Sequence, residues 1–331
     1  MAKYIYDITK LQVGDIILTC DPNDELSNRV MKSTNSEFSH AMIYVGGASC
    51  IESEKRVQAR NLGRILFDDK KNTCVLRIKE KYQSPIIIDT AVSYARSVIG
   101  NPYALMDAVR LEHRRTDLYT DDTQICTRLI AKAFAASGLK IVDNVDMCTP
   151  QQLLESKYVN AYRNFLRYAN EFDLKFAESY DVTEDMIKTT EKLFDSLNNI
   201  NDGKIRSIPA LTEYVIKHKE YDKIVSELLQ QSGYLDVLNI EEGRNKYNYD
   251  KNLFLDYYGE NAYDAAIGSL NVNIIGKYRY EQEYKSLIVK FFDSGKDLHY
   301  LILMIDLYKR IIEQHERRIR VCYEVMNDTC S

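Results

Sequence analysis

The chain has 331 residues, 45% hydrophobic and 28% charged, with a formal net charge of −5. That is globular composition with length enough for two domains, and the lack of a strong basic block argues against nucleic-acid binding through phosphates. Seven cysteines (20, 50, 74, 126, 148, 322 and 330) form no CxxC pair and no Cys/His cluster at zinc spacing.

An odd, scattered cysteine count fits a reducing compartment better than a disulfide framework. The start, Met1-Ala-Lys-Tyr-Ile-Tyr-Asp, has no signal-peptide core. No run approaches the roughly 18 apolar residues of a membrane span. These features predict a soluble, cytoplasmic protein, with delivery elsewhere as an effector left open. No cofactor and no metal are expected. The 25 Tyr without any Trp read as biased composition rather than as a tyrosine-rich binding surface.

In chain order, residues 1–80 read mainly as strands. Val13-Gly-Asp-Ile-Ile-Leu-Thr is a turn entering a short apolar strand. His40 to Val45 is a second strand, Gly46-Gly47 a turn, Ser49 to Ser53 a third strand and Thr73 to Ile78 a fourth. Helical spacing then takes over. Ile87 to Ile99 is stopped by Gly100-Asn-Pro. Ile125 to Ser137 is amphipathic, with Gly138 as its C′ residue. Beyond Thr149-Pro150 long helical patterns dominate. In the last of them Leu298, Leu301, Ile305, Tyr308, Ile312, His315, Ile319 and Cys322 form a lengthwise packing seam. The fold class expected is α+β, a small antiparallel sheet packed on helices (1–160) followed by an all-α domain (161–331).

One constellation carries chemistry. Cys126 follows Asp121, Asp122 and Thr123, any of which could cap a helix and put the thiol in its first turn. Unpaired amides and partial positive charge there favour a thiolate and could hold an oxyanion. Strand alternation puts Ala41, Ile43 and Val45 on one face and His40, Met42 and Tyr44 on the other. A three-residue loop over Val45-Gly46-Gly47 would pair Tyr44 with Ala48 and set Glu52 directly opposite His40. A two-residue loop would turn Glu52 away. Glu54, on the same strand face, is the rival carboxylate. Cysteine nucleophile, histidine base and orienting acid are the parts of a thiol hydrolase.

Leu11-Gln-Val-Gly-Asp-Ile-Ile-Leu, Phe38-Ser-His-Ala-Met-Ile-Tyr-Val-Gly, Cys50-Ile-Glu-Ser, Gly100-Asn-Pro-Tyr and Ile125-Cys-Thr-Arg-Leu-Ile together resemble the permuted NlpC/P60 papain-like family. This is the YiiX/YebB-like group, related to lecithin:retinol acyltransferase-type enzymes. The resemblance covers about residues 8–158 and has the histidine strand before the cysteine helix, the reverse of papain. It implies Cys126 as nucleophile, His40 as base and Glu52 as orienting acid, with Tyr103 and Gln124 at the substrate or oxyanion. Thr127 and Ile125 stand where the family commonly has Ser and an aromatic residue.

These readings lead to a cysteine amidase or peptidase acting on a peptide or isopeptide amide. The alternatives are a lipid thioesterase or acyltransferase with the same triad, and a non-catalytic binding module. The expected partners are a peptide or acyl substrate and a protein recognised by the helical domain.

Overall fold

The computed structural model describes residues 3–54, 56–101, 126–201 and 205–329. It divides into two compact units, Met1–Ser179 and Tyr180–Ser331.

The first unit contains strands β1 (Tyr4–Tyr6), β2 (Ile16–Thr19), β3 (His40–Gly46), β4 (Ser49–Ser53), β5 (Val57–Asn61), β6 (Thr73–Ile78), β7 (Val159–Tyr162) and β8 (Leu166–Tyr168). Its described helices are α1 (Glu25–Thr34), α2 (Pro85–Ser97), α3 (Cys126–Ala136), α4 (Pro150–Leu154) and α5 (Glu171–Glu178). Six strands form one sheet in the order β5-β4-β3-β2-β6-β7, and β1 pairs with β8 separately. Every pairing between these strands is antiparallel.

The central strands bury both faces, which explains their nearly continuous apolar sequence. Ile16, Leu18, Ala41, Ile43 and Leu76 join α2 and α3 residues such as Ala91 and Leu129 in one core. Ile17, Met42, Tyr44 and Val75 face the opposite way and pack with Tyr6, Phe67 and Leu166. The alternation expected for β3 is therefore the one observed.

Helix α2 starts where its sequence says it should. The Ser84 side chain accepts from the Ile87 amide and Pro85 takes the first helical position. Helix α3 ends on the expected Gly138. The Gly138 amide donates to Ala135 O (2.9 Å) and the Leu139 amide to Phe134 O (3.1 Å), the paired bonds of a Schellman motif.

The β3–β4 hairpin departs from the expected register. Its turn is the two-residue pair Gly47-Ala48, both with positive φ, and Gly46 pairs with Ser49. One residue earlier, a bulge between Tyr44 and Gly46 takes up an extra residue, so Tyr44 pairs with Cys50 and Met42 with Glu52. Glu52 thus lies opposite Met42 rather than His40. The short turn alone would have sent Glu52 to the other face, and the bulge brings it back.

Residue 160, the expected domain boundary, falls inside β7, which pairs with β6. The chain then returns through β8 to pair with β1, Tyr4 opposite Tyr168, so these short strands belong to the first unit.

The second unit holds helices α6 (Val182–Asn201), α7 (Ile208–Lys217), α8 (Asp222–Ser232), α9 (Val237–Arg244), α10 (Lys251–Tyr258), α11 (Ala262–Asp293) and α12 (His299–Thr329). From Tyr180 onward there is no strand among the described residues. One core gathers Leu193, Leu211, Leu229, Tyr300 and Leu301, and another Phe254, Ala266 and Val325. Gly276 on α11 meets His315 of the α12 seam so closely that a Cβ would lie 2.5 Å from the ring. Among the described residues no helix is long and apolar enough to cross a membrane.

Candidate active site

Three elements each contribute one group. His40 is the first residue of β3, and pairing with Thr19 of β2 fixes its backbone. Glu52 comes from β4 and is wholly buried. Cys126 comes from α3, where Leu129, Ile130, Ala133 and Phe134 press the helix onto the sheet. Its neighbour Thr127 donates its hydroxyl to Cys148 O (2.5 Å), and buried Arg128 pairs with Asp146 (3.1 Å). These contacts hold the helix that carries the thiol.

His40 Nε2 lies 2.9 Å from Glu52 Oε2. The imidazole also hydrogen-bonds Cys126, and with Nε2 committed to the carboxylate, Nδ1 is the nitrogen left for sulphur. The β3–β4 ladder ends at Met42 and Glu52. One residue beyond it, the backbone at Ala41, together with that of Thr127, favours the Cys126 thiolate.

The electrostatics follow from this chain of contacts. Burial opposes a charged imidazole, but Cys126 and then Glu52 overcome it and raise the His40 pKa to about 10. Burial also opposes the Glu52 carboxylate, yet His40, Arg60 and Gln58 bring its pKa down to about 2. The Cys126 thiol faces the same burial cost. The His40 charge and hydrogen bond, with the backbone at Ala41 and Thr127, lower it below the ordinary thiol value. Burial raises the thiols of Cys20, Cys50, Cys74, Cys148 and Cys322. The arrangement favours a thiolate–imidazolium pair backed by a carboxylate.

The structure therefore brings together Cys126, His40 and Glu52. Glu54 lies just past the end of β4, where its amide donates to Arg56 O (3.2 Å). Tyr103, Gln124 and the capping candidates Asp121, Asp122 and Thr123 lie outside the described residues.

Two site residues escaped the sequence reading. Gln58 Nε2 donates to Glu52 Oε1 (3.1 Å), and Arg60 Nη1 donates to the same oxygen (3.3 Å). Both come from β5. Their signal was available in principle, since a buried carboxylate needs donors and positions 58 and 60 alternate onto one face. Nothing in the sequence alone tells which strand lies beside β4. Among the described residues no group of three or more His, Cys, Asp or Glu side chains could hold a metal ion.

No curated protein matches the chain. Residues 10–164 match the family model described as permuted papain-like amidase enzyme, YaeF/YiiX, C92 family. The matched segment carries all three groups of the candidate site and the whole six-stranded sheet, and leaves out β1 and β8. Over residues 10–164, just under half of its length, the chain is similar to the permuted papain-like amidases of the YaeF/YiiX, C92 family.

Proposed function

We propose that the protein is a cysteine amidase that hydrolyses a peptide or isopeptide amide through a thioacyl-enzyme. The observation that carries this reading is the continuous contact from Cys126 to His40 to Glu52.

The Cys126 thiolate attacks the substrate carbonyl carbon, forming a C–S bond and placing negative charge on the carbonyl oxygen. Collapse of that oxyanion breaks the C–N bond, and the His40 imidazolium gives its proton to the leaving nitrogen. A water molecule then attacks the thioester while His40 takes its proton. The C–S bond breaks, the acid departs and the thiolate–imidazolium pair is restored. Glu52 remains ionised throughout, accepts from Nε2 and keeps Nδ1 turned to sulphur.

The test has two parts. Iodoacetamide labelling of the native protein is compared with Cys126→Ala and His40→Ala, and turnover is screened on peptide amides and phospholipid esters. Loss of labelling in the first variant, slowed labelling in the second and release of amine from amides support the reading. Cleavage of esters alone would replace the amidase with a lipid acyl hydrolase, and labelling unaffected by His40→Ala would remove the catalytic pair.

A further inference from the structure

Glu52 has one carboxylate oxygen on His40 and one elsewhere. Oε2 meets His40 Nε2 at 2.9 Å, while Oε1 accepts from Gln58 Nε2 at 3.1 Å and Arg60 Nη1 at 3.3 Å. A buried carboxylate held at one oxygen only could turn about its last torsion, which has a broad profile. Two donors on the other oxygen remove that freedom. Gln58 is the direct partner of Glu52 in the β4–β5 ladder, and Arg60 lies two residues along the same face, opposite Cys50. The Cys50 thiol donates to the Arg60 carbonyl at 3.4 Å, which ties that backbone position to β4.

We propose that Arg60 and Gln58 are positioning residues for the catalytic pair, pinning Glu52 Oε1 from β5 so that Oε2 stays on His40. The proposal rests on reading Cys126, His40 and Glu52 as the catalytic groups. Gln58 supplies a neutral donor, and Arg60 supplies a donor and a charge, so the Glu52 carboxylate is shared between two cations.

The charges facing this cluster come from several elements. Cys126 on α3 and Glu52 on β4 face His40. Glu52, Glu54 and Cys50 face the Arg60 guanidinium. Tyr6 on β1 lies near Arg60 as well, and burial keeps both Tyr6 and Cys50 protonated. Loss of the Arg60 charge removes a cation and raises the proton affinity of its neighbours, whereas loss of the Glu52 charge lowers it. The two changes therefore move His40 in opposite directions, which a purely structural role for Arg60 does not predict.

The experiment follows the His40 imidazole by NMR in histidine-labelled protein, its resonance assigned by disappearance in His40→Ala. Iodoacetamide labelling of Cys126 at neutral pH is measured alongside, and circular dichroism checks the fold. Arg60→Met is expected to move the His40 midpoint up by about half a pH unit, and Arg60→Lys to restore it. Gln58→Leu with Arg60→Met is expected to slow labelling roughly tenfold in folded protein, since small displacements of an orienting group are costly. If the double variant does not fold, Gln58→Leu alone takes its place, with a smaller loss expected. An unmoved midpoint in Arg60→Met, or labelling as fast as wild type without the clamp, would overturn the proposal. A wild-type His40 that titrates near its ordinary value would instead overturn the ion-pair reading beneath it.

Discussion

Glu52 sits opposite Met42 in the β3–β4 ladder, yet its carboxylate closes a 2.9 Å hydrogen bond on His40, two residues along the same face. Diagonal neighbours on one face of a sheet are roughly 7–8 Å apart at Cα, within reach of a long side chain. The diagonal arrangement also leaves the second carboxylate oxygen to β5. A directly opposed pair would have been less able to use Gln58, which occupies the position across from Glu52 on the other side.

The first prediction separates the two carboxylates of this stretch. Glu52→Gln keeps a hydrogen-bonding group but loses the charge that stabilises the imidazolium. Turnover is expected to fall roughly 10- to 10³-fold, less than an orienting acid can cost in the serine triad, because a thiolate is intrinsically more nucleophilic. Glu54→Gln should stay near the wild-type rate. A large loss at Glu54 with none at Glu52 would mean that the wrong carboxylate has been assigned.

The second prediction concerns pH. The proposed mechanism needs a thiolate beside an imidazolium, so kcat/KM should rise at a pH below the ordinary thiol value and fall only as pH climbs through about 10, where His40 loses its proton. Glu52→Gln removes a negative charge from His40, and the alkaline limb should move toward its ordinary 6.5. The same shifts bear on folding. The His40 contribution is fully present below 6.5 and is lost as pH rises through about 10. That of Glu52 is present above its ordinary 4.5 and is lost as pH falls through about 2. An alkaline limb near 6.5 in wild type would contradict the ion pair.

Much of this site was legible because its parts are local. The face of His40 follows from strand alternation, and the end of α3 from Gly138. The permuted order of His40 and Cys126 follows from the motifs. The hairpin register was not legible, because a bulge of one residue near Val45 has no sequence mark separating it from an ordinary strand end. The slip of two residues moved the partner of Glu52 without changing its face, so the His40–Glu52 pairing survived a wrong register. Arg60 was not legible, because its role depends on which strand lies beside β4. The return of residues 159–168 to the first unit was hidden for the same reason, as β8 takes its partner from the start of the chain.

The third prediction ranks the cysteines. Cys126 alone among the described cysteines has its thiol lowered, while burial raises Cys20, Cys50, Cys74, Cys148 and Cys322. In folded protein near neutral pH, iodoacetamide should modify Cys126 faster than any of these five. Mass spectrometry of digests at short times reads the order directly. Faster modification of Cys20, the one of the five that is not fully buried, would show that exposure outweighs thiolate character here.

The last prediction tests the second unit with two glycines of one helix. Gly276 and Gly268 both lie within α11, and a glycine inside a helix costs stability relative to alanine when space allows the methyl. At Gly268 no described residue outside the helix's own neighbouring backbone comes within 4 Å of an added Cβ, so Gly268→Ala should stabilise the protein by about 0.4–1 kcal/mol. At Gly276 the methyl would meet the His315 ring at 2.5 Å. That ring has little room to retreat, because its Nδ1 is 2.8 Å from Asn273 Oδ1 and it stacks on Tyr280. Gly276→Ala should therefore destabilise by about 1–3 kcal/mol, the usual cost of overpacking. Denaturant titrations of the full chain measure both, with Cys126 labelling used to check that the site remains assembled. A stabilised Gly276→Ala would mean that α11 and α12 do not approach each other at this crossing.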